Sequence, residues 1–305
     1  MTLLSAWVNP TERNLMETVD VLIPYYNDSG GFEKTLASIK AQTALSQLRL
    51  VVVDDGSDAQ HAHRMAELLD GSGMPYNLVT NMANRGRPYT RNVLLDHMDG
   101  DYVAWLDSGD EWFQGKIERQ LYALKSAGVT KDTDNCWATC SYEWREESKL
   151  PQQITQNTDG DVSEALLIGK HLRAYLWTIL APTPAMRIVG AFDAAFPRLQ
   201  DLDFFLRFVS GGGRLIQPED KTALCAYNKE HFGRNATEIA QSYDSLFAKH
   251  DALFQRYSRK LRMKARSLAY KNCARFADAN GEVSLSQSLR RKRSILTLRY
   301  YLGLS

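Results

Sequence analysis

LRLVVVDDGSDA, residues 48–59, decides the fold. Five of its first six residues are Leu or Val, and the run stops abruptly at two acids and a glycine. An apolar run of that length, with no alternation, reads as a strand buried on both faces. Working outward, VDVLIP (19–24), PYNLVT (75–80) and DYVAWLD (101–107) read the same way. Between them lie FEKTLASIKAQ (32–42), SDAQHAHRMAELLD (57–70) and RPYTRNVLLDHM (87–98), whose apolar residues recur at helical spacing and whose ends carry Gly or Asp. Strand alternating with helix predicts an α/β domain, a mostly parallel, doubly wound sheet covered by helices on both faces.

In such sheets ligands bind outside the carboxyl ends of the strands, so the residues at which each apolar run stops are the functional candidates. They are Pro24-Tyr25-Tyr26-Asn27, Asp54-Asp55-Gly56-Ser57, residues 81–87, and Asp107-Ser108-Gly109-Asp110. Asp54 or Asp55 there is suited to accepting hydrogen bonds from a nucleotide's ribose or base, and equally suited to capping a helix in an Asx-turn. A dehydrogenase is excluded on spacing, because Gly-x-Gly-x-x-Gly should follow the first strand and Pro-Tyr-Tyr-Asn stands there. Asp107 and Asp110, three residues apart, avoid self-repulsion by holding a cation or facing water; the alternative is a cap for a helix expected over 113–126. Asn84, Arg85, Arg87 and Arg91 offer donors to phosphate, although Arg85 also fits a solvated helix face. Asp201, beside Asp203 at the start of an otherwise apolar helix, is a carboxylate placed to act as a general base, or else an N-cap.

After Glu111 the alternation weakens. NCWATCSYEW (135–144) predicts one strand, a helix follows around 161–175, LWTILAPTPAM reads as an irregular loop, and a helix starts near Gln200. RLIQP and KTALCAYN predict short strands, and the chain is helical from about 238, broken at Asn280-Gly281.

Taken in order, VDVLIPYYN, LRLVVVDDGSDA, NRGRPYTRN, YVAWLDSGDEW with KIERQ after it, and GAFDAAFPRLQDLDFFLRF resemble the family 2 glycosyltransferases of the GT-A fold, from about Val19 to His231. The resemblance implies a nucleotide-sugar donor, usually a UDP-sugar, held with Mn2+ or Mg2+, and inverting displacement at the anomeric carbon. It implies that Pro24 and Tyr26 line the base, that Asp54 and Asp55 bind the nucleoside, and that Arg91 lies on the phosphate side. Asp107 to Asp110 resembles the metal-binding acidic motif, Asp201 the catalytic base, and His231 a histidine that helps hold metal or diphosphate. One departure is Gly109, where many members carry a third acid; the metal role then falls to Asp110 or Asp107, with Asp110 preferred. Without a metal, Arg85, Arg87, Arg91 and Lys116 would have to supply the positive charge.

The chain of 305 residues is 44% hydrophobic and needs no disulfide to hold a core; its four cysteines lack a paired spacing and are expected as free thiols. The net charge of +1 hides a segregation: residues 244–305 hold fourteen Lys or Arg against four Asp or Glu. SLRRKRSILTLRYYLGL (288–304) mixes Arg and Lys with Ile, Leu and Tyr, which suits a helix on an anionic membrane surface, a solvated face, or a helix packed on the catalytic domain or a second subunit. No nucleic-acid module is recognisable. The expected organisation is a catalytic domain over 1–235, with a nucleotide half (18–112) and an acceptor side (113–235), then a basic helical extension over 236–305. Without a leader or a membrane span in the sequence, the expected location is the cytoplasm, dissolved or resting on the inner face of the plasma membrane. The expected partners are the nucleotide-sugar donor and a glycan or lipid-linked glycan acceptor. Two rival functions are a nucleotide-sugar-binding protein that has lost transfer and a sugar nucleotidyltransferase, the second lacking its glycine-rich phosphate loop.

Overall fold

The computed structural model describes residues 17–147, 149–229 and 235–301. The four predicted strands form as β1 (Val19–Tyr25), β2 (Leu48–Asp54), β3 (Tyr76–Thr80) and β4 (Tyr102–Trp105), all parallel, with β1 between β2 and β4. Their side chains alternate between two cores. Val51, Val53, Val103 and Trp105 face one side of the sheet, and Leu50, Val52, Tyr102 and Ala104 the other, all fully buried. Each buried Val or Leu contributes about 2 kcal/mol, so loss of the apolar run on either face would cost the sheet one of its layers.

Helices α1 (Ser29–Lys40), α2 (Ala59–Asp70) and α3 (Arg87–His97) connect the strands. Asp28 caps α1 by accepting the Gly31 N–H, and Asp58 caps α2 by accepting the His61 N–H. Then come the two-residue strand β5 (Glu111–Trp112) and helix α4 (Lys116–Ser126), which starts three residues later than the sequence predicts, after Gly115 in a left-handed conformation.

The predicted strand over 135–144 is two strands in two sheets. Cys136–Ala138 (β6) joins the main sheet, and Ser141–Glu146 (β7) pairs with β8 (Gln152–Ile154) in a second one. Nothing in NCWATCSYEW marks the crossing at Thr139-Cys140, because residues 136–142 are buried without a break. The helix predicted around 161–175 is α5 (Val162–Ile168), stopped by Gly169 in the left-handed region. LWTILAPTPAM, read as irregular, contains β9 (Leu180–Pro182), antiparallel to both β4 and β6, and helix α6 (Thr183–Arg187).

Helix α7 (Gln200–Ser210) appears where predicted, followed by β10 (Arg214–Ile216) and β11 (Ala223–Lys229). The main sheet runs β10-β6-β9-β4-β1-β2-β3, and the second runs β5-β11-β7-β8. The C-terminal part comprises α8 (Ala236–Lys249), α9 (Asp251–Gln255), α10 (Arg259–Ala279) and α11 (Val283–Tyr301). Leu246, Phe247, Leu253, Phe254, Ala265 and Ala269 belong to the same core as Trp105 and Phe204, so α8 to α10 pack onto the sheet domain, and α11 packs along α10. None of the described helices is long and apolar enough to cross a membrane.

Candidate active site

The carboxyl ends of β2 and β4 carry the acids singled out in the sequence. Asp54 and Asp55 are buried, and both carboxylates are engaged by main chain. Asp54 accepts the Ser57 N–H at 3.0 Å, the Asx-turn anticipated as the alternative to ligand binding. Asp55 accepts from the Asn81 side-chain amide at 2.8 Å and from the Arg85 and Gly86 N–H groups at 2.9 and 2.8 Å, fixing the loop that leads into α3. This loop crosses directly over Gly56. A Cβ there would lie 2.5 Å from the Ala83 carbonyl carbon, and φ is +74°, so only glycine fits. Tyr26 lies exposed at the edge, with Pro24 partly buried behind it.

Arg91, one turn into α3, is 4% exposed and sits between the two halves of the site. Its guanidinium forms an ion pair with Asp201, donates to Gln200 Oε1 at 3.1 Å, and reaches Asp107 Oδ2 at 3.4 Å. Burial works against its charge, but the two carboxylates, Asp201 foremost, more than offset that and hold the guanidinium above its ordinary value. Arg91 therefore joins the acid at the end of β4 to the acid at the start of α7. Asp201 is held from the other side by the Leu176 N–H at 3.3 Å.

The turn at 107–110 is fixed from three directions. Ser108 donates to Asp28 at 2.9 Å, Thr35 Oγ1 accepts the Gly109 N–H and donates to the Asp110 carbonyl, and Asn228 donates to the Gly109 carbonyl at 2.7 Å and to Glu111 at 2.9 Å. Gly109 has φ +91°, which an L residue rarely adopts. The missing third acid is thus tied to the turn geometry. Asp110 is buried and accepts the Asn228 main-chain N–H at 3.0 Å. Asp107 keeps more exposure, 30% of its side chain, yet its Oδ1 is buried without a hydrogen-bond partner, as is Arg91 Nε.

An orphaned buried polar atom costs about 1–3 kcal/mol and calls for a group that the site is shaped to receive. A carboxylate oxygen is a hard donor, so Asp107 Oδ1 fits a divalent cation. Among the described residues no three His, Cys, Asp or Glu side chains converge as a complete metal cage. A cation held by Asp107 and Asp110 would need further ligands from outside these side chains.

Five residues singled out in the sequence land away from the pocket or outside the described residues. Lys116 is fully buried beneath Trp112, bonded to Gln120 Oε1, and supplies no charge to a phosphate. Arg85 is exposed and lies over the Tyr89 ring, and Arg87 is exposed as well. Asp203 points to the opposite side of α7 from Asp201 and bonds Arg207, Lys249 and His250. His231 lies outside the described residues. The sequence reading missed Asn228 and Gln200; an amide one residue past a tyrosine in an apolar strand, and one beside the candidate base, were the available signals. Two surface hollows lie elsewhere, one of about 250 Å3 at the amino ends of β1 and β2, the other of about 260 Å3 beside α3 and α6.

A mostly parallel sheet with an antiparallel strand inserted beside β4, and an acidic turn at the end of β4, is the GT-A glycosyltransferase fold. Solved structures agree in fold: S. aureus TarS 1-349 in complex with UDP-GlcNAc aligns with TM-score 0.58 at 15% identity, over 94% of this chain and 92% of that one. The mannosyltransferase PcManGT from Pyrobaculum calidifontis, in complex with GDP-Man and Mn2+, aligns with TM-score 0.57 at 16% identity, over 93% and 85%. Residues 20–162, a little under half of the chain, match glycosyl transferase family 2. Curated relatives include the Escherichia coli UDP-Glc:alpha-D-GlcNAc-diphosphoundecaprenol beta-1,3-glucosyltransferase WfgD, 31% identical over 46% of this chain and 53% of the relative. Another is the Rhizobium meliloti succinoglycan biosynthesis protein ExoW, 36% identical over 41% of this chain and 38% of the relative. The matched part of this chain thus spans about half or less of these relatives' length.

Proposed function

We propose that this protein is an inverting glycosyltransferase that moves a sugar from a UDP-sugar to a saccharide or lipid-linked saccharide acceptor during assembly of a surface polysaccharide. The observation that carries the reading is the Asp107–Arg91–Asp201 bridge at the strand ends of a family 2 domain. It sets a candidate base within one guanidinium of the acidic turn where a diphosphate would leave. In this reading residues 18–112 hold the nucleotide, with Pro24, Tyr26, Asp54 and Asp55 around base and ribose, and 113–235 form the acceptor side. Asp201 takes the proton from the acceptor hydroxyl as that oxygen attacks the anomeric carbon. Negative charge grows on the departing diphosphate, and Arg91 is the buried cation nearest to the acidic turn. Mn2+ or Mg2+ fits Asp107, with Asp110 and His231 as further ligands, and would neutralise the leaving group. The relatives' names, one a UDP-glucose enzyme acting on a lipid diphosphate and one a polysaccharide biosynthesis protein, favour the donor and the setting.

Helices α10 and α11 carry twelve Lys or Arg and two Asp or Glu over 259–301, with Ile295 and Leu298 exposed beside Arg291. That surface supports peripheral attachment to the anionic inner face of the plasma membrane, where a lipid-linked acceptor would lie.

The test is UDP release from a panel of UDP-sugars with Mn2+, with and without acceptor, alongside UDP binding by thermal shift. The wild type releases UDP slowly without acceptor, and Asp201→Asn loses transfer while still binding UDP. Transfer by Asp201→Asn at the wild-type rate would remove Asp201 as the base. UDP binding without turnover of any donor would favour the binding-only alternative.

A further inference from the structure

We propose that Cys140 and Cys225 form an oxidisable thiol pair, which a peroxide converts to an intramolecular disulfide tying the second sheet together beside the acidic turn. Cys140 sits where the chain leaves β6 for β7, and Cys225 lies on β11, the parallel partner of β7. Their sulfurs are 3.5 Å apart, both buried. A disulfide needs about 2.05 Å. The required closure falls at the one place in the pairing where register slips, between Ala223 and Cys225, so the backbone has slack there.

Reactivity comes from Lys116. Its amine is fully buried, with Gln120 Oε1 at 2.7 Å and the Trp112 ring at 4.5 Å as neighbours; burial pushes its pKa below the ordinary value, and among the described residues these two thiols act to hold its charge. A buried ammonium without a carboxylate is costly, and a thiolate relieves it. Burial opposes charge on Cys140, but the Cys225 S–H and the Lys116 ammonium outweigh that and bring its thiol below the ordinary value. Burial holds Cys225 well above it. One sulfur is thereby the nucleophile and the other the resolving thiol.

In the first step the Cys140 thiolate attacks one peroxide oxygen. The O–O bond breaks, and the hydroxide that leaves takes from the Lys116 ammonium the proton that the Cys140 thiol had given up to it, giving water and a sulfenic acid. The Cys225 thiol then attacks the Cys140 sulfur. The S–O bond breaks and a second water departs with the Cys225 proton, so two thiols and one peroxide yield one disulfide and two waters. Cys225 pairs with Trp112 in β5 and lies three residues before Asn228, which holds Asp110 and Gly109. Closure of the bond pulls directly on that turn.

The experiment treats the folded full chain with hydrogen peroxide, blocks remaining thiols after denaturation, and maps disulfides by mass spectrometry of the proteolysed protein. The expected result is a 140–225 cross-link, with accessible thiols in the denatured chain falling from four to two and restored by dithiothreitol. Cys136→Ser with Cys273→Ser keeps the cross-link, since those thiols lie elsewhere. Four thiols remaining, a cross-link between another pair, or over-oxidation of Cys140 without a cross-link would overturn the proposal. None of these readouts depends on sugar transfer.

Discussion

Replacing Arg91 with methionine keeps the length of the side chain and removes the charge that holds Asp107 and Asp201 together. The guanidinium is 4% exposed, while the two carboxylate side chains keep 30% and 20% exposure. Removing one partner of a buried ion pair costs about 3–5 kcal/mol. The lower end applies here, because water can reach part of each carboxylate; against this, two acids bridged through one guanidinium are left to repel each other. Arg91→Met should therefore lose about 3 kcal/mol, read as a lower urea midpoint at unchanged slope. In an Asp201→Asn background the same change should cost less, with a coupling of about 1–3 kcal/mol. Arg91→Lys should fall between, because a point charge cannot span both acids. UDP affinity should drop with stability, whereas a variant at the exposed start of α3, Arg87→Ala, should alter neither by much. Arg91→Met within about 0.5 kcal/mol of wild type, or no coupling to Asp201, would refute the bridge as the element joining the two halves.

Asp203 is buried among His250, Lys249 and Arg207, which outweigh the penalty of burial and hold its carboxyl at about 2, against 3.8 ordinarily. The stabilisation is in full force above about pH 4 and drains away as pH falls toward 2, amounting to about 2 kcal/mol. Asp203→Asn should flatten that acid limb in urea titrations. Gly56→Ala forces a Cβ against the Ala83 backbone at positive φ and should destabilise by about 2–4 kcal/mol in the same assay. Asn228→Ala removes two hydrogen bonds from the acidic turn, costing about 1–2 kcal/mol, and should weaken Mn2+-dependent UDP binding in thermal shift. Vesicles rich in phosphatidylglycerol should bind the protein in a salt-sensitive way, with affinity falling about fivefold per basic charge removed from α11 in sedimentation assays.

Wherever a residue's environment is set by its immediate neighbours, the sequence is legible. Strands β1, β2 and β4 are largely apolar because both faces are buried, whereas β3 at the sheet edge is partly exposed; the acids at the ends of β2 and β4 stand out against that background. The crossing at Cys140 is invisible because residues 136–142 are buried without a break, and Cys136, Ala138, Cys140 and Tyr142 share one core across it. Strand β9 hides behind its two prolines; Pro182 closes it and Pro184 starts the next helix. Lys116 was misplaced because a lysine in a first helical turn ordinarily meets solvent. Yet Lys116, Ile117, Gln120, Leu121 and Leu124 form one helical stripe, and that spacing carries its burial. The partners of Arg91 were out of reach, since the bridge spans 110 residues of chain and depends on how α7 docks.

Helix α7 shows why that docking bears on the chemistry. Asp201 and Asp203 are two residues apart, so they project from nearly opposite sides of the helix. Asp201 meets Arg91 and the Leu176 N–H on the sheet side, and Asp203 meets Lys249 and His250 on α8 and just beyond its end. A general base must be held within a few tenths of an ångström of its working position. A base anchored only by Arg91 would shift whenever that guanidinium turned toward a diphosphate. In the proposed reaction the backbone beneath Asp201 would stay fixed while its ion pair is exchanged, because Asp203 braces the same turn of helix against the C-terminal helices. The basic C-terminal part thus supports the site mechanically, and a truncation before α8 would strip the brace from α7 as well as any membrane contact.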